Sequence, residues 1–378
     1  MERLKTPQAW LILALALILV GGVLAYLFNT SFGSVNVTRV EFTTERGVMA
    51  GLLYVPRGAS AQDPRPALVT TTGYLNAREM QAPPAIEMSR RGMVVLALDH
   101  YSHGNSFLNE IPPGNEFNSF WVYTIYDGVQ YMYDQPFVLK DEAGNGVIAV
   151  SGHSMGGFSS TMAVGFDEQE YQEALAAGEP AVRKVMAGLS VGADFFFPGF
   201  FGFNAATLDG LYADRTMGMI AAQFDEFFFG GNMIRKDFIS TEDGQTFLGN
   251  PANAEVGEFV QTEDGGQRVI YQPFETHPWN HFSIASTRHM IDFYTTAFAD
   301  YSDSLVERRG QTWWLKELLS TLGLFGFYAL LIPLAMLVVK LPFLKNAVTP
   351  ETPQIQGPTS GSGKLIYWIG LAAGALIP

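Results

Sequence analysis

The chain has 378 residues, of which 48% are hydrophobic and 16% are charged, and its formal net charge is −14. The charged fraction is low for a purely soluble protein, and the acidic excess excludes nucleic acid as a partner because Coulomb repulsion opposes its approach. The chain has no cysteine, which excludes disulfides, thiol nucleophiles and thiolate metal sites.

Three apolar segments lie near the ends of the chain. Residues 9–28 and residues 318–339 contain no charged side chain, and each segment is long enough to cross a bilayer as a helix. A third apolar segment begins at Leu365 and continues to the last residue given. The basic residues that flank these segments are expected to be cytoplasmic, which places residues 29–309 outside the cytoplasm. A cleaved signal peptide is the alternative for the first segment.

The sequence therefore predicts a multi-pass protein of the cell membrane with five segments. They are an N-terminal transmembrane anchor over 1–29, an extracytoplasmic domain over 30–310, a transmembrane helix over 311–345, a cytoplasmic linker over 346–363, and the start of a further transmembrane helix over 364–378.

Short apolar segments alternate with helical ones inside the predicted domain. The expected strands are 35–43, 48–55, 67–72, 93–98, 146–150, 184–189, 217–222 and 268–273. The expected helices are 82–91, 118–132 and 283–299. Continuous apolar strands that alternate with helices indicate an α/β fold with a mostly parallel sheet flanked by helices on both faces.

Two segments of the domain, at about 195–215 and 230–266, do not fit this alternation of strands and helices, and we expect them to be a lid or insertions. The first begins with six phenylalanines in residues 195–203, and we expect an apolar lid or acyl pocket there, with a packing loop or a membrane-facing surface as the alternatives. The second is polar and contains two predicted turns, at 241–244 and 262–265. Its carboxylates lack the spacing of a calcium-binding EF-hand loop, so we predict no metal.

The most informative motif is Gly-His-Ser-Met-Gly at residues 152–156. It follows a predicted strand and precedes a small-residue segment of helical character, which is the context of a G-x-S-x-G nucleophile elbow. Such a turn holds the serine in a strained conformation with its hydroxyl above the sheet. We therefore predict Ser154 as a nucleophile.

A serine nucleophile needs a histidine base that an acid orients, and in proteins with such an elbow both follow the serine in the chain. The histidines beyond Ser154 are His277, His281 and His289. His289 falls within the last predicted helix. His281 lies directly before that helix, and we predict it as the base, with His277 as the alternative.

The acid is expected at the end of an earlier strand. Asp225 follows the strand predicted at 217–222, and we predict that its carboxylate orients the histidine. Glu226 and Asp194 are the alternatives.

The remaining predicted groups stabilise an oxyanion. The Met155 N–H directly follows the nucleophile, and the Tyr74 N–H lies in the loop after the strand at 67–72. Residues 99–106 carry two histidines and an aspartate after the next strand, and we expect a hydrogen-bonded loop at the rim of the site rather than a metal centre.

Together these motifs resemble the α/β-hydrolase superfamily over about residues 35–300. The D-x-x-x-H-G-x-S pattern at 99–106 is similar to the loop of its esterase, lipase and prolyl-oligopeptidase-like members, whereas the HGGG oxyanion motif of one lipase group is absent. The resemblance implies serine hydrolase chemistry through an acyl-enzyme and no cofactor. The arrangement with membrane segments at both ends resembles uncharacterised membrane-anchored bacterial members.

The predicted function is that of a membrane-anchored serine hydrolase of carboxylic esters. Its partner is then a small-molecule ester. A peptidase of short peptides uses the same groups and is the first alternative. A catalytically silent hydrolase fold that acts as a sensor or binding module is the second alternative.

Overall fold

The structure, a computed structural model, describes residues 6–111, 113–114, 116–195, 212, 214–227, 235–251, 253–347 and 357–376. The described residues form two compact units, one within residues 21–321 and the other within residues 1–20 and 322–378. The phenylalanine-rich segment lies outside the described residues from position 196 onwards, as does part of the predicted insertion at 230–266.

The larger unit is built on a sheet to which the described residues contribute ten strands. In chain order they are β1 (Val35–Thr43), β2 (Gly47–Pro56), β3 (Ala67–Thr71), β4 (Val94–Leu98), β5 (Phe107–Leu108), β6 (Ile148–His153), β7 (Val185–Val191), β8 (Thr216–Ile220), β9 (Val260–Gln261) and β10 (Gln267–Tyr271). Their order across the sheet is β1-β2-β4-β3-β6-β7-β8-β10-β9, and β5 pairs with β2. The strands from β4 to β10 in this order are parallel, while β1, β2, β5 and β9 pair antiparallel. The predicted mostly parallel sheet is confirmed.

The described helices are numbered in chain order. They are α1 (Pro7–Asn29), α2 (Ala82–Ser89), α3 (Glu116–Ser119), α4 (Thr124–Tyr133), α5 (Met155–Ala177), α6 (Glu242–Phe247), α7 (Ile284–Ala297), α8 (Trp313–Val338) and α9 (Gly361–Leu376).

Helices cover both faces of the sheet. Consecutive strand residues point to opposite sides, so the apolar strands present apolar side chains to the helices on each face. On one face, residues such as Leu68 and Val95 pack with α2 and α7. On the other face, residues such as Val69 and Leu96 pack with α4 and α5. All the central strands are therefore apolar on both faces, which is typical of a covered parallel sheet.

The helix predicted over 118–132 is two helices in the structure. The carbonyl of Phe120 accepts a hydrogen bond from the N–H of Tyr101 at 3.1 Å and another from the hydroxyl of Thr124 at 2.9 Å. The Phe120 carbonyl is thus bonded to the loop after β4, so the chain turns there and α4 begins at Thr124.

The predicted turn at 241–244 is instead the start of α6. The Thr241 hydroxyl accepts a hydrogen bond from the N–H of Gly244 at 3.1 Å, and two acidic residues occupy the first turn. A threonine N-cap followed by acidic side chains stabilises a helix start. The turn predicted at 262–265 joins β9 to β10, where the N–H of Gly265 donates to the carbonyl of Thr262 at 3.1 Å.

The smaller unit contains apolar helix segments that pack closely. A Cβ atom built on Gly326 of α8 would lie 2.8 Å from Leu17 Cβ and 2.9 Å from the Ala14 carbonyl of α1. Glycine therefore permits the two helices to touch, as small residues do between membrane helices. Among the described residues, α1 and α8 are the two helices long and apolar enough to cross a membrane.

Candidate active site

Ser154 lies at the sharp turn between β6 and α5. Its backbone dihedrals are φ 59° and ψ −117°, a conformation that is strained for a residue with a side chain. The N–H of Ser154 donates to the carbonyl of Val191 at 2.8 Å, so the turn is fixed to the end of β7. This strained serine between a strand and a helix has the geometry of a nucleophile elbow.

The two glycines of the motif are required by close backbone contacts. A Cβ atom at Gly152 would lie 2.3 Å from the carbonyl carbon of Gly156, and a Cβ atom at Gly156 would lie 2.6 Å from the carbonyl oxygens of Thr71 and Thr72. A side chain at Gly152 would therefore disrupt the turn itself, and a side chain at Gly156 would force the elbow away from the end of β3, which carries the neighbouring loop.

The loop after β3, residues 72–75, lies directly beside the serine. A Cβ atom built on Gly73 would be 3.2 Å from Ser154 Cβ, so this loop passes within contact distance of the serine side chain. Met155 begins α5, and the first N–H groups of a helix have no partner within the helix. The structure thus brings both predicted donor residues, Tyr74 and Met155, next to Ser154.

His103 fixes this β3 loop from the loop after β4, residues 99–106. The N–H of Leu75 donates to His103 Nε2 at 3.1 Å. His103 Nδ1 lies 3.0 Å from the carbonyl of Tyr101, which accepts only, so Nδ1 carries the proton and Nε2 is the acceptor. Leu75 itself has φ 61°, a strained conformation that this bond helps to hold.

His100 fixes the other end of the β3 loop. Its Nε2 lies 2.6 Å from the carbonyl of Thr72, so Nε2 is the protonated atom. Burial lowers the pKa of His100 to about 3, and the imidazole is neutral at physiological pH. The two histidines of the β4 loop therefore bracket the peptide beside Ser154, one on each side.

Asp99 organises the β4 loop from the end of β4. Its buried carboxylate accepts hydrogen bonds from the backbone N–H of Arg78 at 2.8 Å and of Asn105 at 3.1 Å, and it forms an ion pair with the Arg78 guanidinium. A Cβ atom at Gly104 would lie 2.1 Å from Asp99 Oδ2, and Gly104 has φ 51°. The glycine of the D-x-x-x-H-G-x-S pattern is thus explained by the approach of the carboxylate.

The second half of the site joins the loops after β8 and β10, residues 221–227 and 272–283. His277 Nδ1 lies 2.7 Å from Asp225 Oδ2, and both side chains are buried. Because a carboxylate only accepts, Nδ1 carries the proton and Nε2 is the basic atom. The pair rests on Gly192, where a Cβ atom would lie 3.0 Å from His277 Nδ1 and 3.4 Å from Asp225 Oδ2.

The structure corrects the predicted pairing of Asp225 with His281. Asp225 contacts His277, the alternative, while the His281 ring lies against the ring of His153, with their centroids 3.8 Å apart. Burial, and then the field of His277, lower the pKa of His281 to about 4. The physical reason is the chain path: His277 directly precedes the 3₁₀ helix Pro278–Phe282 and reaches the carboxylate, whereas His281 lies within that helix and its ring packs against His153.

The alternative acids have other contacts. Glu226 accepts a hydrogen bond from the backbone N–H of His277 at 2.9 Å. Asp194 lies near the phenol of Tyr212. Sequence reasoning also missed His153, whose Nε2 lies 2.9 Å from the carbonyl of His277. The available signal was a titratable residue at a buried strand end directly before the nucleophile.

No group of three or more histidine, cysteine, aspartate or glutamate side chains within the described residues could hold a metal ion. The histidines near Ser154 contact backbone groups, one another and, in the case of His277, the Asp225 carboxylate.

Parallel strands deliver these groups to one edge of the sheet, with Ser154 after β6, Asp225 after β8 and His277 after β10. The serine lies on an elbow at the carboxyl end of a mostly parallel sheet, and an acid and a histidine follow it in the chain. These features together define the architecture of the α/β-hydrolases. The chain has the α/β-hydrolase fold.

Several solved structures are similar to this α/β-hydrolase fold. Est1E from Butyrivibrio proteoclasticus, with bound ferulic acid, is 13% identical, with 69% of this chain and 99% of that chain covered and a TM-score of 0.44. A bacterial heroin esterase is 16% identical, with coverage of 80% and 93% and a TM-score of 0.44. Esterase 2 of Thermogutta terrifontis, phosphorylated by paraoxon, is 12% identical, with coverage of 73% and 96% and a TM-score of 0.44. No protein-family model and no curated protein matches the chain.

Proposed function

We propose that this protein is a membrane-anchored serine hydrolase that cleaves carboxylic esters through an acyl-enzyme. The observation that carries the proposal is the strained Ser154 at the same edge of the sheet as a buried Asp225–His277 pair. Strain at a non-glycine residue persists only where the surrounding structure holds it, and it is concentrated at functional sites.

The proposed reaction begins with attack of Ser154 Oγ on the ester carbonyl carbon. His277 Nε2 accepts the hydroxyl proton and then gives it to the departing alkoxide, which leaves as an alcohol. Water repeats these steps: His277 accepts a proton from water, hydroxide attacks the acyl carbon, and Ser154 regains its proton as the carboxylic acid is released. Asp225 holds the imidazole in the required tautomer throughout and stabilises its charged form.

The tetrahedral intermediate carries its negative charge beside the start of α5. The Met155 N–H is unbonded within the helix, and the Tyr74 N–H lies in the neighbouring β3 loop, so the two are the proposed oxyanion donors. The N-terminal end of the helix dipole favours a negative charge at the same position. No cofactor takes part in this scheme.

Aromatic side chains border both sides of the site. The Tyr74 ring packs in a cluster with His103, Phe117 and Phe120, with centroid separations of 5.4 to 6.0 Å. The Phe227 ring lies 5.0 Å from the His277 ring. Such surroundings suit an ester with an apolar acyl or alcohol group, which supports a small-molecule ester as the substrate.

The membrane placement rests on sequence and composition. The apolar helices α1 and α8 precede and follow the hydrolase domain, and basic residues flank them on the far sides. By the positive-inside rule those flanks are cytoplasmic, so the domain over about 30–310 is proposed to be extracytoplasmic.

A fluorophosphonate probe tests the nucleophile, because it reacts with an activated serine. The full-length protein in detergent should be labelled and Ser154→Ala should not. Ser302→Ala, at an exposed serine, should be labelled as wild type. A correctly folded wild-type protein that resists the probe would contradict the proposed function. Faster turnover of aminoacyl or dipeptidyl amides than of p-nitrophenyl esters would replace the ester substrate by a peptide.

Cysteine labelling tests the topology, since the chain has no cysteine of its own. In intact cells, Asp243→Cys should react with a membrane-impermeant maleimide, whereas Lys364→Cys should react only after the cells are opened. The reverse pattern would refute the extracytoplasmic placement.

A further inference from the structure

The backbone of His277 is bonded at both of its polar groups by side chains that take no part in proton transfer. Its N–H donates to Glu226 Oε2 at 2.9 Å. Its carbonyl accepts from His153 Nε2 at 2.9 Å. Together with the bond from Nδ1 to Asp225 at 2.7 Å, these contacts hold the residue at three separate atoms.

His153 makes its bond only as one tautomer in its neutral form. The carbonyl of His277 is purely an acceptor, so His153 Nε2 carries the proton. His153 Nδ1 is buried and has no hydrogen-bond partner among the described residues. Burial, and then the fields of His281 and His277, lower the pKa of His153 well below the ordinary range. The donor is therefore fixed in place at physiological pH.

The position of His153 in the chain gives this bond its significance. His153 is the last residue of β6 and directly precedes Ser154. Its hydrogen bond to His277 spans 124 residues of sequence, and the two rings lie 4.5 Å apart. The bond thus joins the residue next to the nucleophile to the main chain of the base itself.

We propose that His153 and Glu226 form a backbone clamp, which holds His277 in line with Ser154, and that both are positioning residues rather than proton carriers. This inference rests on the proposed function. Misplacement of a reacting group by about 1 Å can reduce a rate by about 10²-fold. The clamp sets the distance between His277 Nε2 and Ser154 Oγ because it restrains the main chain of His277, whereas Asp225 restrains only the ring.

Matched substitutions separate the hydrogen bond from the shape of His153. His153→Gln places an amide N–H near the position of Nε2 and keeps the donor, whereas His153→Phe keeps a flat ring and removes it. We expect His153→Phe to reduce kcat by about 10- to 100-fold with KM changed less than about threefold. His153→Gln should recover most of that loss.

Glu226 provides an independent test because it is exposed and its replacement leaves the core intact. Glu226→Gln keeps an oxygen acceptor for the His277 N–H, and Glu226→Leu removes it. We expect Glu226→Leu to reduce kcat by about tenfold and Glu226→Gln to reduce it by less than about threefold, since one restraint of several is lost. A wild-type kcat in both His153→Phe and Glu226→Leu would overturn the clamp.

A readout that needs no turnover separates failure of the clamp from failure of the proposed function. In the full-length protein in detergent, proton NMR of selectively labelled histidine should show a low-field resonance for the Nδ1–H of His277 bonded to Asp225. It should persist in His153→Gln and broaden or shift in His153→Phe. An unchanged resonance in His153→Phe would refute the clamp even if the enzyme is active. A lost resonance with no fluorophosphonate labelling of the wild type would support the clamp and refute the hydrolase.

Discussion

The two sides of the site are held by different kinds of contact. On the β3–β4 side (residues 72–78 and 99–106), the bonds join residues close in the chain, such as Arg78 to Asp99 across 21 positions and Leu75 to His103 across 28. On the β8–β10 side (residues 221–227 and 272–283), Asp225 meets His277 across 52 positions. Each side joins loops that follow neighbouring strands, β3 with β4 and β8 with β10, but the chain segment between the bonded residues is longer on the second side.

The two sides also differ in the groups that they hold. The β3–β4 side holds peptide groups with histidines and a buried ion pair, so we expect substitutions there to alter stability and loop position, with a loss of rate no greater than about tenfold. The β8–β10 side holds the group that moves the proton, so we expect substitutions there to alter the rate itself. The following predictions test this division.

The largest expected effect separates the two histidines of the β8–β10 side. His277→Ala should reduce kcat/KM for a p-nitrophenyl ester by about 10⁴- to 10⁶-fold, since removal of a triad base is of that order. His281→Ala should reduce it by less than about tenfold, because Asp225 orients the other ring. Steady-state kinetics of both proteins decide the matter, and a greater loss in His281→Ala would restore the pairing expected from the sequence.

The next effect concerns the buried ion pair of the β3–β4 side. Asp99→Ala leaves the Arg78 guanidinium without its buried carboxylate, and such a loss costs about 3 to 5 kcal/mol of unfolding free energy. Glu79→Ala is the matched control, because Glu79 forms an exposed pair with the same arginine at 3.6 Å and should cost less than about 1 kcal/mol. Denaturant unfolding measures both, and equal losses would argue against the role given to Asp99.

Acidification should weaken both sides together. The pKa values of His100, at about 3, and of His281, at about 4, lie below the ordinary value of 6.5. The unfolded chain therefore binds more protons between those values and pH 6.5, and stability falls as pH falls through that window. Within that window, each of the two histidines lowers the free energy of unfolding by about 1.4 kcal/mol for each unit of acidification.

Asp127 acts in the opposite sense, because burial raises its pKa from 3.8 to about 6. Its contribution to stability is present below about pH 3.8 and is lost as pH rises through 6. On acidification this offsets the loss of unfolding free energy caused by about one histidine. Thermal unfolding between pH 7 and pH 5 should still show a net loss on acidification. His100→Gln should show a shallower dependence, and an identical slope would contradict the neutral buried state of His100.

The smallest effect concerns the bond from Leu75 to His103. His103→Phe removes the acceptor of the Leu75 N–H and should reduce kcat by about tenfold, because the Tyr74 N–H is then less firmly placed. His103→Gln keeps an acceptor oxygen and should lose less. If the two variants have the same kcat, the bond does not position the β3 loop.

Much of this molecule follows from local sequence. Apolar strand segments predicted the sheet, and the elbow motif predicted the strained turn at Ser154, because both depend on the residues in place. The helix predicted over 118–132 was wrong where the Phe120 carbonyl bonds to the β4 loop, a contact that periodicity does not contain. The membrane topology and the domain boundaries stay predictions.

The sequence by itself determined the serine, the candidate acids, and the two glycines that the elbow needs, since a tight turn restricts which residues can occupy it. Only the tertiary structure decided which histidine meets Asp225, because His277 precedes one short 3₁₀ helix, His281 lies within it, and both share the same local signals. It also brought His153 to the carbonyl of His277. The physical reason is that a hydrogen bond depends on the path of the whole chain, whereas a turn depends on a few adjacent residues.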